Sequence, residues 1–214
     1  MASAHPTSEL IAAYAAGTLS DGLSLVVASH LTYCPTCRSA ARDFEAVGGT
    51  MLRKAPEAEL SSSALDAVFA MIDGDTAAEV AAPYRDSGES PLPRPIQDVV
   101  GQPFDEMAWQ FRLPGLHEYK LDGFEDEDVS LLRARPGAGM LAHTHRGEEA
   151  TLVLTGMMQD GETVLAKGDL NIADHSHDHS PRIIGEETCY CLIVMSGGMR
   201  FTGPFSRALN LFTR

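Results

Sequence analysis

Between Gly137 and Gly156 the chain reads GAGMLAHTHRGEEATLVLTG, and this stretch admits few folds. His143 and His145 stand two residues apart, the spacing that sends side chains off one face of a β-strand. The run Thr151-Leu152-Val153-Leu154-Thr155 is β-branched and apolar, and the bracketing glycines favour bends. Glu149 follows four residues after His145, and His179 returns on a later segment beyond the turn at Lys167-Gly168-Asp169. Three imidazoles and one carboxylate make a ligand set for a divalent transition metal, which accepts borderline nitrogen and oxygen donors. The segment Asp174-His175-Ser176-His177-Asp178-His179 carries histidines at alternate positions. His179 is expected to complete the set, with His177 as the alternative and His175 outside it.

Short strand signals surround this stretch: Trp109–Leu113, His117–Leu121, Val129–Ala134, Glu149–Leu154, Met157–Asp160, Glu162–Leu165 and Cys189–Val194. Separated by glycine-rich turns, they indicate a small antiparallel barrel or sandwich holding the metal among its strands. Glu125-Asp126-Glu127-Asp128 reads as a solvated hairpin tip, since it lacks a calcium-loop pattern. Cys189 and Cys191 share one strand face, where packing in the core is the first expectation and an oxidisable pair the second. A bridge between them across one extended residue is geometrically poor.

The first 80 residues have a different period. Thr7 or Ser8 caps a short helix carrying Leu10, Ile11 and Tyr14, and a second helix starts at Ser20 with Leu23, Val26, Val27, His30 and Leu31 along one side. At its end stands His30-x-x-x-Cys34-Pro35-x-Cys37. His30 and Cys34 can share a helical face, and the Cys-x-x-Cys turn returns a second sulfur to the same point. Three donors leave a tetrahedral zinc one ligand short, and His5, just ahead of the first helix, is the natural fourth. Metal here compensates for a region too small for a generous core. A third helix is expected from Arg38 to about Lys54, with Phe44 and Val47 buried and Gly48-Gly49 weakening it or ending it early. A fourth, over Ala64–Ile72, is capped from Ser63 and carries the stripe Leu65, Val68, Phe69 and Ile72.

Charge narrows the partners. The chain carries a formal net charge of -14, which excludes non-specific nucleic-acid binding and suits a basic protein instead. Residues 1–80 hold ten acidic and four basic side chains, a net of -6. No apolar run is long enough to cross a membrane and no secretory signal opens the sequence, so a cytoplasmic location is expected. The four cysteines fall in two close pairs rather than in a disulfide framework. Prolines 83, 91, 93, 95 and 103, with interspersed Ser and Gly, mark a linker, although Val99-Val100 could belong to the following domain.

Taken together, His5 followed by His30-x-x-x-Cys34-x-x-Cys37 resembles the zinc-binding anti-sigma domain. Gly137-x5-His143-x-His145-x3-Glu149-x6-Gly156 is similar to the first cupin motif, and His179-Ser180-Pro181 to the start of its returning ligand segment. Over nearly all 214 residues, including Cys189-x-Cys191 and Arg200-Phe201-Thr202-Gly203-Pro204, the chain resembles the two-domain ChrR family of cytoplasmic anti-sigma factors. The resemblance implies a multidomain α + β protein: a small zinc-bound helical bundle at residues 1–85, a Pro-rich linker at 86–103, and an antiparallel β-barrel of cupin (jelly-roll) type at 104–214. It implies zinc at His5, His30, Cys34 and Cys37, and at His143, His145, Glu149 and His179 zinc again, with manganese, iron or nickel as alternatives. The implied partner is a group IV (ECF) sigma factor, bound 1:1 by the helices and released under singlet oxygen or related oxidants, with no catalytic residue. The runner-up is a metal-dependent cupin enzyme, a dioxygenase or isomerase, with the helices as a regulatory addition.

Overall fold

The computed structural model describes residues 2–74, 90–203, 206 and 210; Pro83, residues 86–89 of the expected linker, and Pro204 lie outside them. Five α-helices come first among these residues: α1 (Ser8–Ala15), α2 (Asp21–Tyr33), α3 (Pro35–Lys54), α4 (Ala64–Asp73) and α5 (Arg94–Val100). Eleven strands follow: β1 (Gln110–Leu113), β2 (Leu116–Lys120), β3 (Asp128–Ala134), β4 (His143–His145), β5 (Glu149–Thr155), β6 (Met157–Asp160), β7 (Thr163–Ala166), β8 (Leu170–Ala173), β9 (Arg182–Ile184), β10 (Cys189–Met195) and β11 (Met199–Phe201). No helix among the described residues is long and apolar enough to cross a membrane.

Capping chemistry sets the helix starts. Thr7 Oγ1 accepts from the Leu10 N–H at 3.2 Å, and Ser20 Oγ accepts from the Leu23 N–H at 3.4 Å. Cys34 ends α2 and caps α3, its sulfur accepting from the Cys37 N–H, with Pro35 in the first turn where no amide is needed. Glu127, expected as part of a solvated hairpin tip, instead reaches the start of α2. Its carboxylate accepts from Ser20 Oγ at 2.7 Å and from the Gly22 N–H at 2.9 Å, where the helix dipole favours an anion.

Several local expectations need correcting. Helix α3 begins at Pro35 and runs straight through Gly48-Gly49 to Lys54. Phe44 and Val47, expected inside, are exposed because nothing among the described residues covers that face, and Ser63 makes no side-chain cap to α4. Val99 and Val100 lie in α5.

The strands pair antiparallel throughout. They form a six-stranded sheet ordered β1-β2-β3-β10-β5-β8, a three-stranded sheet β7-β6-β9 and a two-stranded sheet β11-β4. The expected barrel of cupin (jelly-roll) type is therefore corrected: among the described residues no sheet closes on itself. Closure needs a hydrogen-bond ladder that continues round the whole circuit. Here the large sheet ends at β1 and β8, and short strands meet elsewhere through isolated bridges such as Gly139 with Arg182 and His143 with His179.

Both faces of the large sheet are covered, so β5 is buried at every position from Glu149 to Leu154. One face meets the helices: Leu25 and Val26 of α2 and Ile96 of α5 join Leu131, Leu152, Leu154, Leu192 and Val194. The other packs Leu132, Val153, Cys189, Cys191 and Ile193 against Met158, Leu165 and Ile183 of the small sheet. A third, smaller cluster of Ile11, Cys34, Cys37 and Ala41 lies among the helices.

Helix α2 lies close enough to the sheet that a Cβ on Gly22 would stand 2.9 Å from Val194 Cγ1 and 3.0 Å from Val129 Cγ2. Gly22→Val gains less than about 1 kcal/mol in helix propensity but overpacks this contact at a cost of about 1–3 kcal/mol. A net loss of stability is expected, read as a lower urea midpoint with an unchanged slope.

Candidate metal centres

The turn between α2 and α3 gathers the first cluster. His30 occupies the last turn of α2, Cys34 the junction, Cys37 the first turn of α3, and His5 the segment ahead of α1. One donor atom from each of the four lies within 4.8 Å of the other three. His5 Nδ1 stands 3.5 Å from both sulfurs, and the His5 and His30 rings meet edge to face at 5.8 Å. Both thiols and His30 are buried, whereas His5 is exposed.

The His30 ring is oriented from outside the helices. Its Nδ1–H donates to the Gly168 carbonyl at 2.8 Å, which leaves Nε2 buried without a hydrogen-bond partner. A buried polar atom left in that condition is costly unless something else takes it. Burial depresses the His30 pKa, so the ring is held neutral with its lone pair available. Burial, with Cys34 alongside, pushes the Cys37 thiol up to about 11. A cation at this point would reverse that preference, because it stabilises the thiolate.

The second cluster joins β4 to the returning segment after β8. His143, His145 and His179 each place a ring nitrogen within 4.8 Å of the other two. His145 Nε2 and His179 Nε2 are 2.9 Å apart, and the His143 and His179 backbones exchange hydrogen bonds at 3.0 Å. His143 Nδ1–H donates to the Leu141 carbonyl at 2.7 Å, leaving its Nε2 buried and unpartnered, as is His145 Nδ1. His179 Nδ1–H donates to Asp160 Oδ2 at 2.7 Å, which turns its Nε2 inward. Burial lowers the pKa of His143, and burial followed by His179 takes that of His145 down to about 4, so both rings are neutral near pH 7.

Glu149 stands at the margin of this group. Its Oε2 is 3.6 Å from His145 Nε2, while Oε1 accepts from Thr151 Oγ1 at 2.9 Å, and the residue borders a cavity of about 640 Å³. His179, not His177, is the one brought to the pair: His175 and His177 are exposed, and His177 lies 3.2 Å from Asp174. Cys189 and Cys191 are free thiols with sulfurs 3.6 Å apart inside the second core cluster. The hydrogen bond with Cys189 and burial raise the Cys191 thiol well above its ordinary pKa.

Sequence reasoning missed the groups that aim these rings. Ligand histidines commonly donate their other N–H to a carboxylate or carbonyl, a rule that predicts such partners without naming them. Asp160 lies 19 residues from His179, and Gly168 lies 138 from His30. No spacing in the chain announces either.

Known proteins resemble the chain in sequence and in fold. Residues 97–197 match the ChrR Cupin-like domain and residues 6–38 a putative zinc-finger family. The anti-sigma-E factor ChrR of Cereibacter sphaeroides is 33% identical over 210 residues, covering 98% of this chain and 97% of its own. Among solved structures, that of Rhodobacter sphaeroides SigE in complex with the anti-sigma ChrR superposes with a TM-score of 0.79 at 32% identity, over 91% of this chain and 99% of that one. An RmlC-like cupin from Ralstonia eutropha, 20% identical, reaches a TM-score of only 0.41 over 47% of this chain and 70% of its own. The full-length likeness is to an anti-sigma factor, and the chain belongs to the ChrR family of anti-sigma factors.

Proposed function

We propose that this chain is a cytoplasmic, zinc-dependent anti-sigma factor that sequesters an ECF sigma factor 1:1 and releases it under singlet oxygen or related oxidants. The observation that carries the reading is an apolar surface left open on two helices. On α3, Phe44, Val47 and Met51 follow one another at helical spacing, and Val47 and Met51 are 58% and 69% exposed. On α4, Leu65, Val68, Phe69 and Ile72 repeat the pattern, and no residue of the helix is buried. Apolar stripes of this extent on an acidic chain mark a protein-docking surface. The ChrR relative, solved in complex with SigE, supports the choice of partner.

On this reading the two clusters hold metal. Two thiolates and two imidazoles from His5, His30, Cys34 and Cys37 are the donor set of a tetrahedral structural zinc, and the orphaned His30 Nε2 fits that role. Zinc would supply folding free energy to a module whose own core is small. His143, His145 and His179, with Glu149 beside them, offer nitrogen and oxygen donors that suit zinc first, and manganese, iron or nickel as alternatives. The unpartnered His143 Nε2 supports that assignment.

Co-expression with candidate ECF sigma factors tests the partner. A 1:1 complex on gel filtration is expected, and Val47→Asp with Phe69→Asp should weaken it by at least about thirtyfold, the loss typical of a central apolar contact, without lowering the thermal midpoint. An unaltered complex in that double variant would sink the docking surface. Cys37→Ala is expected to lose sigma binding together with one equivalent of zinc. At the second cluster, Asp160→Ala frees the His179 ring. Metal affinity there should fall about 10- to 100-fold in chelator competition, while zinc at the thiol cluster is retained.

A further inference from the structure

The turn Lys167-Gly168-Asp169 joins β7 to β8, yet its polar atoms serve the helices. Gly168 accepts from His30 through its carbonyl, at φ +90°, and a Cβ there would stand 2.9 Å from Tyr33 Cβ. Only glycine lets this backbone come so near α2. Asp169, 2% exposed, accepts from the backbone N–H of Ser3, from the Ala4 N–H at 2.9 Å and from Ser3 Oγ at 3.1 Å. The Ala166 N–H donates to Asp169 Oδ2 at 2.8 Å and holds the carboxylate in place. The Leu170 N–H donates back to the Ala4 carbonyl at 3.1 Å, closing a clamp round residues 3 and 4. Burial alone would raise the Asp169 carboxyl, but the Ala4, Ala166 and Ser3 amides hold it below its ordinary pKa.

His5 is the next residue. A segment lying outside the helices and strands is poorly ordered unless something ties it down, and an untethered His5, ahead of α1, would be a weak fourth donor. We propose that Asp169 is a positioning residue for the amino-terminal cluster: by clamping Ser3 and Ala4 it delivers His5 to His30, Cys34 and Cys37. The β-sheet module thereby completes a site whose four donors all lie in the helical one. Metal retention at that site then depends on the fold of the other module.

The proposal rests on reading the four donors as a metal site, and cobalt(II) separates the two. In the full-length chain a thiolate-to-cobalt charge-transfer band reports the Cys34 and Cys37 cluster, since the imidazole cluster contains no sulfur and Cys189 and Cys191, buried in the second core cluster, belong to neither group of donors. Asp169→Asn is expected to surrender this band at a chelator concentration at least about tenfold lower than the unsubstituted chain, with cobalt at the imidazole cluster unmoved. Ser3→Ala, which leaves the β module untouched, should shift it in the same direction by less. A band as resistant in Asp169→Asn as in the parent chain overturns the clamp, and so does parallel loss of both cobalt ions with Ser3→Ala silent, which would mean general loosening. No thiolate band in the parent chain would instead remove the metal-site reading beneath it.

Discussion

Burial of α2 against β5 and β10 is the contact from which the rest of the arrangement follows. Leu25 and Val26 enter the same apolar cluster as Leu152 and Leu192, and Val26, Leu152 and Leu192 are fully buried. Each such side chain contributes about 1.5–3 kcal/mol relative to exposure, so the helix is held on the sheet by a few residues of its inner face. Its polar ends are then placed rather than left to search. Glu127 meets the first turn of α2, and the Gly168 carbonyl meets His30 near the last. A helix free to slide by one turn, about 5.4 Å, would lose both.

The two clusters obey one rule on different scaffolds. In each, a histidine donates one ring N–H to a fixed acceptor and keeps the other nitrogen for the cluster: Gly168 serves His30, Leu141 serves His143, and Asp160 serves His179. Orientation by a rigid partner removes rotamer freedom before any ligand arrives, and at His30 and His143 burial disfavours the proton that would compete for the lone pair. The donors differ where the elements differ. A helix-turn-helix junction brings two sulfurs together through Cys-x-x-Cys, whereas a strand supplies side chains at alternate positions and so offers His-x-His.

That difference explains what was legible in the sequence. His30, Cys34 and Cys37 sit within eight residues and His143 and His145 within three, so local geometry alone brought each set together. Strand positions could likewise be read from alternation. Closure of the sheet could not, because alternation fixes which face a residue occupies but not which strand lies beyond the edge. The fate of Phe44 and Val47 was hidden for a related reason. An amphipathic stripe has the same spacing whether it is covered by its own chain or kept for another. Long-range acceptors such as Asp160 and Gly168 were illegible altogether, since any of the chain's many carboxylates and carbonyls could have served.

The exposed stripe and the thiol cluster are also mechanically related. Of the twenty residues of α3 only Cys37 and Ala41 are buried, both in its first two turns beside Cys34 and Ile11. The remaining turns project away with Val47 and Met51 uncovered. A rod anchored at one end points wherever that anchor directs it, and a small angular error at Cys37 grows with distance along a helix that rises 1.5 Å per residue. Over the roughly fourteen residues to Met51 that is a lever of about 20 Å. On the proposed reading, the orientation of the docking face depends on α1, which packs against α3, and on the four donors at the base of the helix, which in turn lean on a turn from the β-sheet. This chain of dependence makes the cluster a determinant of the direction of α3 as much as of the stability of the helical module.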